Sequence, residues 1–290
     1  MKFHISFICA VSFFLVGKTA AQSVKKPQTQ QSIFNDKIHC STPLSTAAGV
    51  IYFGKTFLGN AYPLSNVQAA QTTNGPVKLQ PIQQEVLVVN LKKFDCVTFI
   101  ENMVALTKTR LSDTLNFDFY KKKLTSIRYR NAQINYAARL HYFSDWLFEN
   151  AKKGILKDIT KELGGEILKK DIFYMSFKKD TFYGNMADPT TFNTMKSVES
   201  NITKREKFYI PKERVNAVEK YLKDGDIIGI TNALEGMDMA HTGFAIWQNG
   251  RVYLLHASSQ FQKVVISDVP LVDYLLRNKM QTGIMVGRLN

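Results

Sequence analysis

The chain has 290 residues, 45 % of them apolar, enough for one large domain or two small ones with a substantial core, so disorder is not its default state. Its formal charge of +14 argues for anionic partners, which for an exported chain are wall polymers or membrane surfaces. The basic residues are scattered as on a solvated face ("KKK" at 121, "RYR" at 128, "KK" at 152, 169 and 178), and no nucleic-acid motif occurs, so nucleic acid is not an expected partner.

The chain opens on Lys2, the apolar run "ISFICAVSFFLVG" and the small-residue end "KTAA". This pattern predicts a signal peptide over 1–21 with cleavage after Ala21, because the run is shorter than the roughly 20 residues a bilayer span needs. A lipoprotein at Cys9 and an uncleaved anchor are the alternatives, and no later stretch is apolar for long enough to be a transmembrane segment. Cys40 and Cys96 remain after cleavage, too few for a disulfide framework, although a single bridge between them is open.

Residues 22–42 are polar and aperiodic and predict a flexible segment, followed by a single domain over 43–290. "LSTAAGVIYFGKTFLG" predicts a helix capped by Ser45 or Thr46 and ended by Gly59, with a loop carrying Tyr62 after it. Residues 85–91, "EVLVVNL", predict a strand or an extended approach. Asp95 then caps a helix beginning at Cys96, with Val97, Ile100 and Val104 and Phe99, Met103 and Leu106 at helical spacing. "YAARLHYFSDWLFENAKKG" predicts a helix stopped by Gly154, and further helices are expected at 156–164, 189–201 and 211–222, the last begun by Pro211. After Asp224-Gly225 come the strands "DIIGIT", "HTGFAIW", "RVYLLHAS" and "KVVISD", a helix at about 270–278 and the strand "GIMVGRL". Helices first and antiparallel strands later make an α+β layout.

The chemistry-bearing residues converge through a hairpin. Asn249-Gly250 between apolar strands predicts a two-residue turn with Gln248 facing Arg251. His241, Gly243, His256 and Ser258 then share one face, with the two histidines diagonal neighbours and Gly243 leaving space opposite His256. Phe244, Ile246, Tyr253 and Leu255 form the opposite, core face. A thiol at a helix N-terminus gains from the dipole and the free N–H groups, which lower its pKa and can hold an oxyanion. Cys96 as nucleophile, His241 as base and His256 as its orienting partner therefore make a triad. A zinc site from the same three residues is the rival, without ligand pairs such as CxxC or HExxH.

These residues resemble a known group. "FDCVTF", "DGDIIGI", "HTGFAIW" and "HAS" look like the NlpC/P60 superfamily of papain-like cysteine peptidases. Within it, "KTFLGNAYPLSN", "LVVNLKKFDCVTFIENMVAL", "ARLHYFSDW" and "LLHASS" resemble the N-acetylmuramoyl-L-alanine amidase-like family, from about residue 46 to the C-terminus. The resemblance implies a papain-like fold, with the nucleophile helix packed on an antiparallel sheet and a large, mainly helical insertion at about 107–215. It implies Cys96, His241 and His256 as catalytic residues and Tyr62 near the oxyanion beside Asp95. It also implies Arg139, Tyr142, Asp145 and Trp146 lining the substrate cleft, although by spacing Tyr142 and Trp146 also suit a helix core face. The implied activity is hydrolysis of the amide between N-acetylmuramic acid and L-alanine in peptidoglycan or muropeptides, without metal or cofactor; a periplasmic location and a monomeric state are separate expectations. Cleavage between D-glutamate and diaminopimelate in the stem peptide, and wall binding without catalysis, stand as alternatives.

Overall fold

The structure, a computed structural model, describes residues 28–39, 45–63 and 84–290. The leader, its cleavage point and Cys40 lie outside the described residues, so the Cys40–Cys96 bridge is not described; Cys96 carries a free thiol. Among the described residues no helix is long and apolar enough to cross a membrane.

The longer helices are α1 (Gln30–Ile38), α2 (Thr46–Thr56), α3 (Cys96–Arg110), α4 (Phe117–Arg128), α5 (Phe143–Lys152), α6 (Pro189–Lys204) and α7 (Leu271–Leu276). The strands are β1 (Leu156–Asp158), β2 (Glu166–Ile167), β3 (Phe208–Pro211), β4 (Ile227–Asn232), β5 (Met239–Gln248), β6 (Arg251–Ser258), β7 (Lys263–Ile266) and β8 (Gln281–Leu289). They form an antiparallel sheet in the order β2-β3-β8-β4-β5-β6-β7, with β1 also on β8, and the fold is α+β.

The sheet is covered on both faces because its strands alternate two apolar sets. Phe244, Ile246 and Leu255 join a core with Phe34, Phe53, Phe99, Met103, Leu124 and Trp146 from α1 to α5. Ala245, Val252, Leu254 and Ile228 face the other way, onto Val215, Val218, Leu271 and Leu275. A smaller cluster of Tyr142, Ile172, Met175, Met186, Met195 and Ile202 holds the middle region together. At the hairpin, Asn249 (φ 50°) and Gly250 (φ 76°) both take left-handed backbone, as a type I′ turn requires, and Gln248 pairs with Arg251.

Several expectations are corrected. Residues 30–38, within the segment expected to be flexible, form α1: Thr29 caps it, and Phe34 is fully buried against the rings of Phe117 and Tyr120 at 5.5 and 5.3 Å. Its few apolar residues escape a periodicity reading because the remainder of its surface is polar. Phe34→Ala is expected to cost about 3–5 kcal/mol, the usual toll for a fully buried phenylalanine. A lowered urea midpoint at unchanged slope is the signature, and an unchanged midpoint would show α1 to be dispensable.

Of the two readings for residues 85–91, the strand is not formed; the Leu91 N–H donates to the Gln30 side chain, and Arg128 donates to the Val88 carbonyl. The expected helix over 136–154 begins only at Phe143, after a 3-10 turn at Tyr136–Ala138 and an extended break. The helix expected at 156–164 is absent, because Leu156, Lys157 and Asp158 pair with Leu289, Arg288 and Gly287 as β1. The 211–222 helix is broken into the short turns Lys212–Arg214, Val215–Val218 and Glu219–Tyr221, with Pro211 ending β3. The stretch 107–215, expected to be mainly helical, thus also supplies β1, β2 and β3.

Candidate active site

The site is built from the tip of α3 upward. The Asp95 carboxylate accepts from the Thr98 N–H at 2.7 Å while the Asp95 N–H donates to the Thr98 hydroxyl at 3.0 Å. This reciprocal capping box fixes the first turn and places Cys96 at the first helical position. Its thiol faces the N–H groups of Thr242, Val97 and its own residue. Cys96 shares a small cavity of about 90 Å³ with His241, His141, Phe143 and the 238–242 stretch.

His241 and His256 come together as the hairpin predicts. His241 Nε2 lies 2.5 Å from His256 Nδ1, and the rings stand edge to face at 4.8 Å. That bond occupies Nε2 of His241 and leaves its Nδ1 for the thiol. A side chain on Gly243 would meet His256 Cβ at 2.9 Å, so glycine is needed there for the rings to fit. His256 is fully buried and packs on Tyr274 at 5.6 Å.

The electrostatics run opposite to the sequence expectation for the thiol. Burial, with the Asp95 carboxylate adding to it, pushes Cys96 up to about 12, and the three N–H groups only partly oppose this. Burial also brings His241 down to about 4 and, with His241 beside it, His256 down to about 3. The resting pair is therefore a neutral thiol beside a neutral imidazole, because burial outweighs the helix dipole. Asp95→Asn keeps a good capping acceptor and removes the charge. Cys96 is expected to become alkylated at lower pH in that variant, as followed by peptide mass mapping; an unshifted profile would exclude Asp95 as a cause.

Tyr62 is half-buried, its hydroxyl pKa raised by burial and then by proximity to Cys96 and Asp95. Its backbone is tied to β7 through Gln262 and, via Ala61, to Phe94 before the cysteine helix. Beside this site lies a cleft of about 480 Å³ lined by Lys93, Asp95, Val97, Glu101, Arg128, Arg139 and His141, among others. Arg139 stands in its wall, 3.5 Å from Glu85.

Tyr142, Asp145 and Trp146, expected in the cleft, lie instead in the interior. The Tyr142 hydroxyl donates to Glu199 at 2.7 Å and accepts from the Met175 N–H at 2.9 Å. Asp145 is clamped between Arg130 and Arg205 at 2.6 and 3.0 Å. Trp146 is fully buried and stacks on Phe143 at 5.0 Å. The break before Phe143 turns this face of α5 inward.

Sequence reasoning passed over Arg128, Glu101 and His141 in the cleft wall. Arg128 donates from Nε to Glu101 at 2.7 Å; burial works to lower the guanidinium pKa, but that carboxylate more than offsets it and raises it. Glu101 lies early in α3, where a negative charge suits the positive end of the helix dipole, but its carboxylate is committed to Arg128. His141 had a visible signal: it sits between Arg139 and Tyr142 in a stretch already singled out. Among the described residues no group of three or more His, Cys, Asp or Glu side chains is arranged to hold a metal ion.

Residues 52–284 match the model of the AmiA-like family, described as N-acetylmuramoyl-L-alanine amidase-like. The chain belongs to that family. An N-acetylmuramoyl-L-alanine amidase of Bacteroides uniformis is 32 % identical, with a TM-score of 0.75 over 84 % of this chain and 99 % of that one. A Bacteroides fragilis protein with a provisional xylanase name is 30 % identical, with a TM-score of 0.72 over 82 % and 99 % of the two chains. The Legionella pneumophila protein LPG0564, at 23 % identity and a TM-score of 0.63 over 89 % and 94 %, shares the fold. Among curated proteins none matches the chain. The AmiA-like match spans Cys96, His241 and His256 together with the whole cleft wall.

Proposed function

We propose that this AmiA-like chain is an exported, periplasmic cysteine hydrolase on a papain-like NlpC/P60 scaffold. It cuts the amide between N-acetylmuramic acid and L-alanine in peptidoglycan or muropeptides. The observation that carries this reading is the shared cavity of Cys96 and His241, with the His241 ring held by His256 at 2.5 Å.

Because thiol and imidazole both rest neutral, the proton must leave sulfur as the bond to carbon forms. Cys96 Sγ attacks the amide carbonyl carbon while its proton passes to His241 Nδ1. The oxygen that gains charge is met by the Cys96 N–H and the Tyr62 hydroxyl, which stays protonated because its pKa is raised. His241 returns the proton to the departing L-alanine nitrogen, the C–N bond breaks, and water, giving a proton to His241, releases the lactyl carboxylate from the thioester. Lys93 and Arg139 in the cleft wall offer positive charge to the carboxylates of a muropeptide, while Arg128 there is already neutralised by Glu101.

Glycoside hydrolysis, suggested by the xylanase name, needs two carboxylates facing one bond. Here Asp95 caps α3, Glu101 is paired with Arg128, and Asp238 accepts from the N–H groups of Ser144 and Met239. Mass spectrometry of defined muropeptides digested by the protein tests the reading. A free peptide beginning with L-alanine is the expected product. A cut beyond D-glutamate, release of sugars from xylan, or binding without turnover would each overturn it.

A further inference from the structure

His141 stands where the two hollows of the site meet, since it lines both the large cleft and the small cavity of Cys96 and His241. Its Nε2 lies 2.8 Å from the Tyr136 carbonyl. A carbonyl only accepts, so the proton of the neutral ring sits on Nε2 and Nδ1 keeps its lone pair. Burial, reinforced by the like charge of Arg139, holds the ring neutral. The ring packs on Tyr136 at 4.6 Å, and the Arg139 guanidinium lies over that same tyrosine ring at 5.2 Å. Among the described residues no hydrogen bond reaches Nδ1. A rigid, neutral acceptor at the joint of two cavities asks for a donor, and an extended peptide threading from cleft to thiol carries one on every residue.

We infer that His141 is a substrate-positioning residue, accepting a backbone N–H of the peptide at the joint and so setting the scissile amide against Cys96. This rests on the amidase reading above. His141→Asn and His141→Phe test it as a pair. Both lose the bond to Tyr136, but the asparagine oxygen stands near the place of Nδ1 while phenylalanine has no acceptor. On a defined muropeptide, His141→Phe is expected to lose roughly tenfold or more in kcat/KM, in line with one missing hydrogen bond to a desolvated partner, and His141→Asn is expected to recover most of it. In a Cys96→Ala background, calorimetric binding of the same muropeptide is expected to follow the same order. Imidazole nitrogen NMR of the wild type is expected to show Nδ1 unprotonated at neutral pH.

Equal losses in the two variants would reduce His141 to a packing residue, and full activity in His141→Phe, or a proton on Nδ1, would overturn the inference while leaving the amidase reading intact. No turnover of any muropeptide by the wild type would instead remove the amidase reading, and this inference with it.

Discussion

Cys96→Ala is expected to abolish muropeptide turnover, with kcat/KM falling on the order of 10⁴- to 10⁶-fold, or about 5–8 kcal/mol of transition-state stabilisation. The size follows from the unit character of the site. His241 has nothing to deprotonate without the thiol, and the Cys96 N–H and Tyr62 can then assist only uncatalysed attack by water. The fold is expected to survive, because the cap that sets the tip of α3 belongs to Asp95 and Thr98. Equal turnover by wild type and variant would dismiss cysteine chemistry.

The pH profile of the wild type is a companion to that measurement. His241 accepts a proton only while neutral, and its pKa is brought down to about 4 by burial. The base is thus competent above about pH 4 and is lost as pH falls through that value, so kcat/KM is expected to hold its plateau well below the usual histidine midpoint near 6.5. The thiol at about 12 imposes no alkaline limb near neutrality. An acid limb centred near 6.5 would mean that His241 is solvated as an ordinary histidine.

Arg128→Met is expected to destabilise the fold by about 3–5 kcal/mol at neutral pH, because it leaves the Glu101 carboxylate buried without its counter-ion. Burial already raises the Glu101 pKa and Arg128 opposes that rise, so removing the guanidinium raises it further. A carboxyl whose folded pKa lies above its unfolded value binds its proton better when folded. The variant's remaining stability is therefore greatest below the unfolded value near 4.3 and is lost as pH rises through the folded value. Thermal melts at acid and neutral pH check this, and a variant equally stable at both would refute the buried charge. Glu101→Gln added to Arg128→Met should restore much of the loss at neutral pH, since neither a charge nor a pH dependence then remains.

Local chemistry alone determined a good deal here. Asp95 before Cys96 announces a capped helix, Ser45 another, and Asn249-Gly250 a turn that sets two histidines on one face. Each is decided by backbone hydrogen bonds or left-handed backbone within a few residues, and each stands in the structure as read. Pro189 likewise opens α6 behind the Asp188 cap.

Only the tertiary structure decided the rest, because those outcomes depend on what lies opposite. Residues 156–158 became a strand since the end of β8 offered unpaired backbone, while residues 84–90, richer in β-branched side chains, found side-chain partners instead of a ladder. Tyr142 and Trp146 have a spacing that suits a cleft or a core equally, and the helix break before Phe143 turned them inward. His141 entered the site through the same break. The direction of the Cys96 pKa also lay beyond the sequence: a helix tip favours a thiolate, but how much water the folded chain removes from the sulfur is set by residues as distant in the chain as Thr242.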